Sequence, residues 1–302
     1  MSTHYDAWPE LPYNQFQSTS HLLHMASQIM GKLKLATPFE PYWSNVGLWL
    51  TTRGITTGLI PCDKGCFAVS IDFVAHEVVC TTTWNKMEKF ILTSMSVAQF
   101  TKTLFQVLNH LQVNASINMK PQEQLNPVLF NEDNVRCQYD ELLANAWWRI
   151  LINSEKIMQR YHARFNGYTP AIALMWGTFD LRDARYYGDS IPTTGPNAGY
   201  IRRNAMNTAQ VEAGWWHGNS AYQRPAYYSF MYPAPVGFEL EKVSPEQAYW
   251  NADLGEFILD YDVVRQSKNP ENTLFTFFES TYAAGAQLAG WPNKLIGPGR
   301  PI

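Results

Sequence analysis

Charge is scarce in this 302-residue sequence: 16% of residues are Asp, Glu, Lys or Arg, and they nearly cancel to a formal net charge of -3. With 46% hydrophobic residues beside so little charge, the composition is that of a folded chain with a sizeable core, not of a disordered one. The lack of a basic excess removes the field that attracts a polyanion, so nucleic acid is not expected as a partner. No apolar run reaches the roughly 18 residues a membrane span needs. The polar start over residues 1–15 lacks the basic head and apolar stretch of an export signal. These absences predict a cytoplasmic protein without a membrane partner.

Cysteine is equally sparse. Cys62, Cys66, Cys80 and Cys137 are too few and too scattered for a disulfide scaffold. Cys62 and Cys66 flank Asp63-Lys64-Gly65, which reads either as half a zinc site or as a plain hairpin with small thiols. A structural zinc needs a second close pair, and Cys80 and Cys137 lie far apart, so no metal is expected. A Gly-rich phosphate loop, a nucleophile elbow, a paired-histidine zinc helix and a Rossmann fingerprint are all missing. Asp253-Leu254-Gly255-Glu256 lacks the ligand spacing of a calcium loop. No cofactor is identifiable.

What is present is patterned. Ser18 to Ser20 can cap a helix running to about Leu35, with Leu22, Ala26, Ile29 and Leu33 on one face. Residues 46–92 are rich in Thr, Val, Ile and aromatics, broken at Arg53-Gly54, Asp63-Lys64-Gly65 and Asn85, as antiparallel strands would be. Helical spacing returns over residues 97–111. After a connection through residues 112–139, Asp140 can cap a long helix carrying Leu143, Trp147, Ile150, Met158, Tyr161 and Phe165. Residues 171–181, 211–216, 226–232 and 257–261 then read as strands, and residues 270–288 as a closing helix. The expected fold is α+β: two helix–sheet–helix units with mostly antiparallel strands, residues 1–111 and 140–302, packed around a central cleft.

The two units echo each other in letters. Trp84-Asn85 leads into Phe90-Ile91-Leu92, Trp250-Asn251 leads into Phe257-Ile258-Leu259, and a helix with Thr-Leu-Phe follows each. Either an internal duplication or chance produces matches this short.

Candidate functional residues fall in four places. His24, Gln28 and Lys32 recur at four-residue spacing beside His21, as one polar stripe that is either a ligand-facing surface or an ordinary solvated helix face. In residues 70–76, strand alternation puts Asp72 and His76 on one face, about 13 Å apart at ~3.3 Å per residue, too far for a dyad. In residues 176–181, alternation places Trp176, Thr178 and Asp180 on one strand face, with Arg185 as the expected partner of Asp180. Trp216 and Tyr228 add aromatic surface to the same half. Glu279 stands between Phe275, Tyr282, Ala283 and Ala286 on the last helix, where a carboxylate needs a cation or has its pKa raised.

Over nearly its whole length, from about Trp8 to Trp291, the chain resembles a bacterial family known as domain of unknown function 5996. The resemblance rests on the segments 24–32, 52–57, 71–73, 176–181, 232–235 and 279–282. It implies a shared architecture and a set of residues, His24, Lys32, Arg53 and Glu279 among them, but no activity. Where the family pattern has Ser-His-Glu, this chain has Asn207-Thr208-Ala209, and where a histidine precedes the Trp-Gly segment it has Ala173 or Leu174. Histidines near Trp43 and before Tyr139 are absent too, which implies that any family site built on them is lost or altered here.

Two functions follow. One is an enzyme acting on a small molecule in the cleft between the sheets, with His24, Lys32, Arg53 and Glu279 as catalytic groups and Gln28, Asp72, His76, Trp176, Asp180, Trp216 and Tyr228 around the ligand. The other is a non-catalytic binding or assembly protein, with a homo-oligomer left open.

Overall fold

The computed structural model describes residues 6–191 and 200–296. Helix α1 (Tyr13–Leu33) starts one and a half turns before the expected cap, directly after Pro12. The hydroxyls read as caps are used elsewhere. Ser18 Oγ accepts from the Gln138 amide at 2.7 Å, Thr19 Oγ1 accepts from the Asp140 amide at 2.9 Å, and both fasten the chain entering the next long helix. The helix is buried nearly all round, including Ser27, Gln28, Gly31 and Lys32, so its polar stripe faces protein.

Six short strands follow: β1 (Trp49–Leu50), β2 (Gly54–Thr56), β3 (Ile60–Cys62), β4 (Gly65–Asp72), β5 (Glu77–Thr82) and β6 (Met87–Ile91). They pair antiparallel in the order β1-β2-β4-β5-β6, with β3 also on β4. Cys62 and Cys66 lie in the β3–β4 hairpin as free thiols. Phe67, Val69 and Ile71 of β4 are buried while their alternates are half-exposed, the period of a one-sided sheet. Helix α2 (Val97–His110) is capped by Ser96, whose Oγ accepts from the Gln99 amide. Helix α3 (Glu141–His162) is capped by Asp140 through the Leu143 amide, as the spacing predicts.

The second sheet is built from β7 (Ala173–Met175), β8 (Asp180–Ser190), β9 (Thr208–Trp216), β10 (Ala226–Tyr232), β11 (Tyr249–Asn251) and β12 (Glu256–Asp260). It is antiparallel in the order β11-β12-β10-β9-β8-β7. Helices α4 (Tyr200–Ala205) and α5 (Tyr261–Gln266) are short, and α6 (Pro270–Leu288), with Asn269 as its cap, is the last α-helix among the described residues. Among the described residues no helix is long and apolar enough to cross a membrane.

The fold is therefore α+β with two antiparallel sheets. The sheets do not share a strand order, because β12 lies between β10 and β11 whereas the first sheet runs in chain order apart from β3. Trp84-Asn85 sits in the β5–β6 turn while Trp250-Asn251 lies within β11, so the echoed letters are not at equivalent places.

Two alternation readings are corrected by turns. Residues 73–76 form the β4–β5 turn, with Asp72 accepting from the Val74 and Ala75 amides and His76 at φ 54, so the extended spacing from Asp72 to His76 does not hold. Residues 176–179 likewise form the β7–β8 turn, with Phe179 at φ 64. The sheets meet edge to edge where the Leu48 and Leu174 amides and carbonyls exchange hydrogen bonds of 3.0 and 2.9 Å. Trp176 lies over Gly31 of α1, where a Cβ would come within 2.1 Å of the indole, and donates its Nε1–H to the Val46 carbonyl at 3.1 Å.

Candidate functional site

The register of the second sheet sorts its side chains by face. Leu181, Asp183 and Arg185 of β8 share a face with Val211, Ala213 and Trp215 of β9 and with Tyr227 of β10, and helices α3 and α6 pack against these strands. The opposite face carries two cross-strand rows. One runs Arg182, Gly214, Tyr228, Ile258; the next runs Ala184, Glu212, Phe230, and the β10–β12 register carried one residue past Ser229–Phe257 sets Glu256 beside Phe230. Above these rows lies a cavity of about 660 Å³, walled by Trp43, Trp176, Trp216, Phe230 and Met206, with Asp180, Arg182, Glu212 and Glu256 among its lining and exposed Glu123 beside it. A space of that size suits a small molecule.

Asp180 is the best-held group. Thr178 Oγ1 donates to one of its oxygens and the Tyr228 hydroxyl to the other. Burial pushes its pKa up, while these two donors and Arg182 pull it back. Gly214 makes the arrangement sterically feasible: a Cβ there would lie 2.6 Å from the Tyr228 hydroxyl and 2.2 Å from the Leu181 carbonyl oxygen. Arg182 donates to the Tyr186 hydroxyl at 3.0 Å and stands 3.7 Å from Glu212. Burial works against its cation, but Glu212 and the other surrounding groups outweigh it and the pKa rises. Glu212 is raised by burial and by Asp180, with Arg182 opposing. Glu256 is pushed up to about 8, first by burial and then by the charges of Asp180 and Glu212.

Behind the β7–β8 turn sits a histidine layer. His24 Nε2 lies 2.9 Å from the Gly177 carbonyl, which requires its proton on that nitrogen, and its ring stacks on Phe179 at 4.8 Å. Phe179 meets His217 edge-on at 5.4 Å. Burial pulls His24 down to about 4, and burial together with His24 pulls His217 down to about 3, so both are neutral at pH 7. Gln28 donates to the Gln122 carbonyl and accepts from the Gln122 amide at 2.9 and 2.7 Å, fixing the segment that carries Glu123.

Trp176, Asp180, Trp216 and Tyr228 of the expected set thus line this cavity, and His24 and Gln28 support its wall. Lys32, Arg53, Asp72, His76 and Glu279 are not in its lining. The four residues His24, Gln28, Lys32 and Arg53, expected at one ligand site, do not line this cavity together. Lys32 is buried with its amine 5.9 Å from the Phe130 ring, and burial lowers its pKa, whereas exposed Arg53 pairs with Asp72 on the first sheet. His76 Nδ1 contacts the Tyr139 hydroxyl at 2.9 Å. Arg185 is not the partner of Asp180. The strand period puts it on the helix face, fully buried against the Tyr161 ring and 3.7 Å from Glu279. Glu279 is half-buried and also meets Arg164 at 2.9 Å, so it has the cation the sequence asks for, on the side away from the cavity.

Arg182, Glu212 and Glu256 were not singled out. Their signal lay in charges set within strands of apolar and aromatic residues, at Leu181-Arg182-Asp183-Ala184-Arg185 and Val211-Glu212-Ala213-Gly214-Trp215. Among the described residues no three His, Cys, Asp or Glu side chains are grouped to hold a metal ion.

A family model described as "Family of unknown function (DUF5996)" matches residues 8–297. No curated protein and no solved structure matches the chain.

Proposed function

We propose that this chain, which belongs to the family of unknown function DUF5996, is an enzyme that admits a small molecule to the cavity over the second sheet and moves a proton to or from it. One observation carries the reading: three carboxyls, Asp180, Glu212 and Glu256, line an aromatic-walled space with Arg182 as the one cation among its described lining residues. Like charges in a poorly solvated space cannot all stay ionised without a large penalty, so one carboxyl is held neutral. Glu256, pushed up to about 8, holds its proton at neutral pH, while Glu212 has Arg182 at 3.7 Å to favour its ionised form. A carboxylic acid and a carboxylate facing one space supply a general acid and a general base.

In this reading Glu256 donates, Glu212 accepts, and Asp180 fixes Tyr228. Among the described residues the buried indole N–H of Trp216, whose ring lines the cavity, has no hydrogen-bond partner. His24 and Gln28 act as positioning residues through Gly177 and Gln122.

A second reading, a non-catalytic binding protein, is favoured by the engagement of both Asp180 oxygens, which makes that carboxyl part of a fixed wall. Incubating purified protein with the small-molecule fraction of a cell extract separates the two. A compound consumed by the wild type and retained unconverted by Glu256→Gln supports the enzyme; a compound held by both and consumed by neither supports the binding protein. If nothing is held or consumed, the cavity is not the functional site.

A further inference from the structure

Resting on the reading of this cavity as the functional site, we infer that its ligand is an organic cation, with an ammonium or guanidinium group seated over Phe230 between Glu212 and Glu256. Among the described residues four charged side chains line the cavity wall, and three of them, Asp180, Glu212 and Glu256, are acids, with exposed Glu123 a further acid at its edge. The single base is already committed, since Arg182 donates to Tyr186 and sits beside Glu212. Among the described lining residues an anionic ligand would therefore meet more like charge than opposite charge.

Glu212 points independently to the same chemistry. It is only 8% exposed, yet among the described residues its carboxylate accepts no hydrogen bond, and its one ionic neighbour is Arg182 at 3.7 Å, beyond hydrogen-bonding reach. A carboxylate at the cavity wall held only by an ion pair at 3.7 Å can take a further donor from the ligand. The register supplies the seat. Glu212 and Glu256 flank Phe230 in one row, so their Cα atoms are two strand spacings apart, roughly 10 Å. A cation above the Phe230 ring can reach both carboxyls and the ring face at once. An organic cation fits better than a metal ion, because no group of three metal-ligating side chains exists among the described residues.

Three probes of one shape and different charge test this by calorimetric titration of the full chain: phenethylammonium, phenethyl alcohol and phenylacetate. The ammonium should bind about tenfold tighter than the alcohol, the worth of one ion pair with a ring contact, and phenylacetate more weakly than either. In Glu212→Gln the tenfold preference should fall to about one, with alcohol binding retained as proof of fold. Equal or tighter binding of the alcohol or phenylacetate overturns the charge assignment while leaving the cavity reading intact. So does a preference that survives in both Glu212→Gln and Glu256→Gln. Failure of all three probes to bind removes both.

Discussion

Replacing Glu256 by glutamine should stabilise the protein relative to wild type by an amount that grows with pH. The Glu256 carboxyl starts from an ordinary value of 4.5 and is pushed up to about 8 by burial and by the facing charges of Asp180 and Glu212. An acid whose pKa is higher in the folded chain than in the unfolded one holds its proton more tightly when folded. Its contribution is fully present below about 4.5, drains as the pH rises, and is gone above about 8. At about 1.4 kcal/mol per tenfold change in proton affinity, the ceiling for the whole swing is about 5 kcal/mol. Glu256 is partly exposed to the cavity's water, which reduces this to about 1–3 kcal/mol. Glutamine keeps the shape and loses the titration, so urea unfolding of both proteins at pH values spanning that window isolates the term. Asp180 and Glu212 are also shifted upward, but they titrate in both proteins and largely cancel in the difference. The variant should gain about 1–3 kcal/mol on the wild type between the acid and alkaline ends. Parallel stability curves for the two proteins would refute the argument.

Gly214→Ala should cost about 1–3 kcal/mol by urea unfolding, because the new methyl lies 2.2 Å from a backbone oxygen and 2.6 Å from the Tyr228 hydroxyl; an unchanged midpoint would mean that β8 and Tyr228 give way freely. Tyr228→Phe should cost about 1–3 kcal/mol by leaving an Asp180 oxygen without its donor, and wild-type stability would show that water replaces the hydroxyl. Gln28→Leu should speed hydrogen exchange at the Gln122 amide, which donates to Gln28 Oε1 at 2.7 Å; unchanged exchange there would show that the clamp does not hold the segment. Glu279→Gln should cost on the order of 3–5 kcal/mol by stranding the fully buried Arg185 cation, and a melt within error of wild type would show that its aromatic cage suffices.

Much of the fold could be read before any coordinates, where local chemistry decides. Asp140 caps its helix because a side-chain oxygen three residues before an orphan amide is a local device. Ser18 and Thr19 misled for the opposite reason, since their partners Gln138 and Asp140 are more than a hundred residues away. The turns at residues 73–76 and 176–179 carry no glycine at their positive-φ positions, which His76 and Phe179 occupy, so the usual turn signal is missing. The site was half readable. Trp176, Asp180, Trp216 and Tyr228 stood out by residue type within their own segments, whereas Glu212 and Glu256 are brought near each other only through the register of β9, β10 and β12. The stripe on α1 was placed correctly on one face, but a face buried by tertiary packing looks like a solvated one in sequence. The order of the second sheet, with β12 inside β11, is a long-range pairing that no local pattern records.

The central claim, that the cavity over the second sheet is where this protein takes its ligand, is tested most directly by locating a bound probe. Crystals grown with phenethylammonium should show its nitrogen within ionic contact of Glu212 and Glu256 and its ring among Trp216, Phe230 and their neighbours. Density for the probe at another surface, with this cavity holding only solvent, would contradict the account.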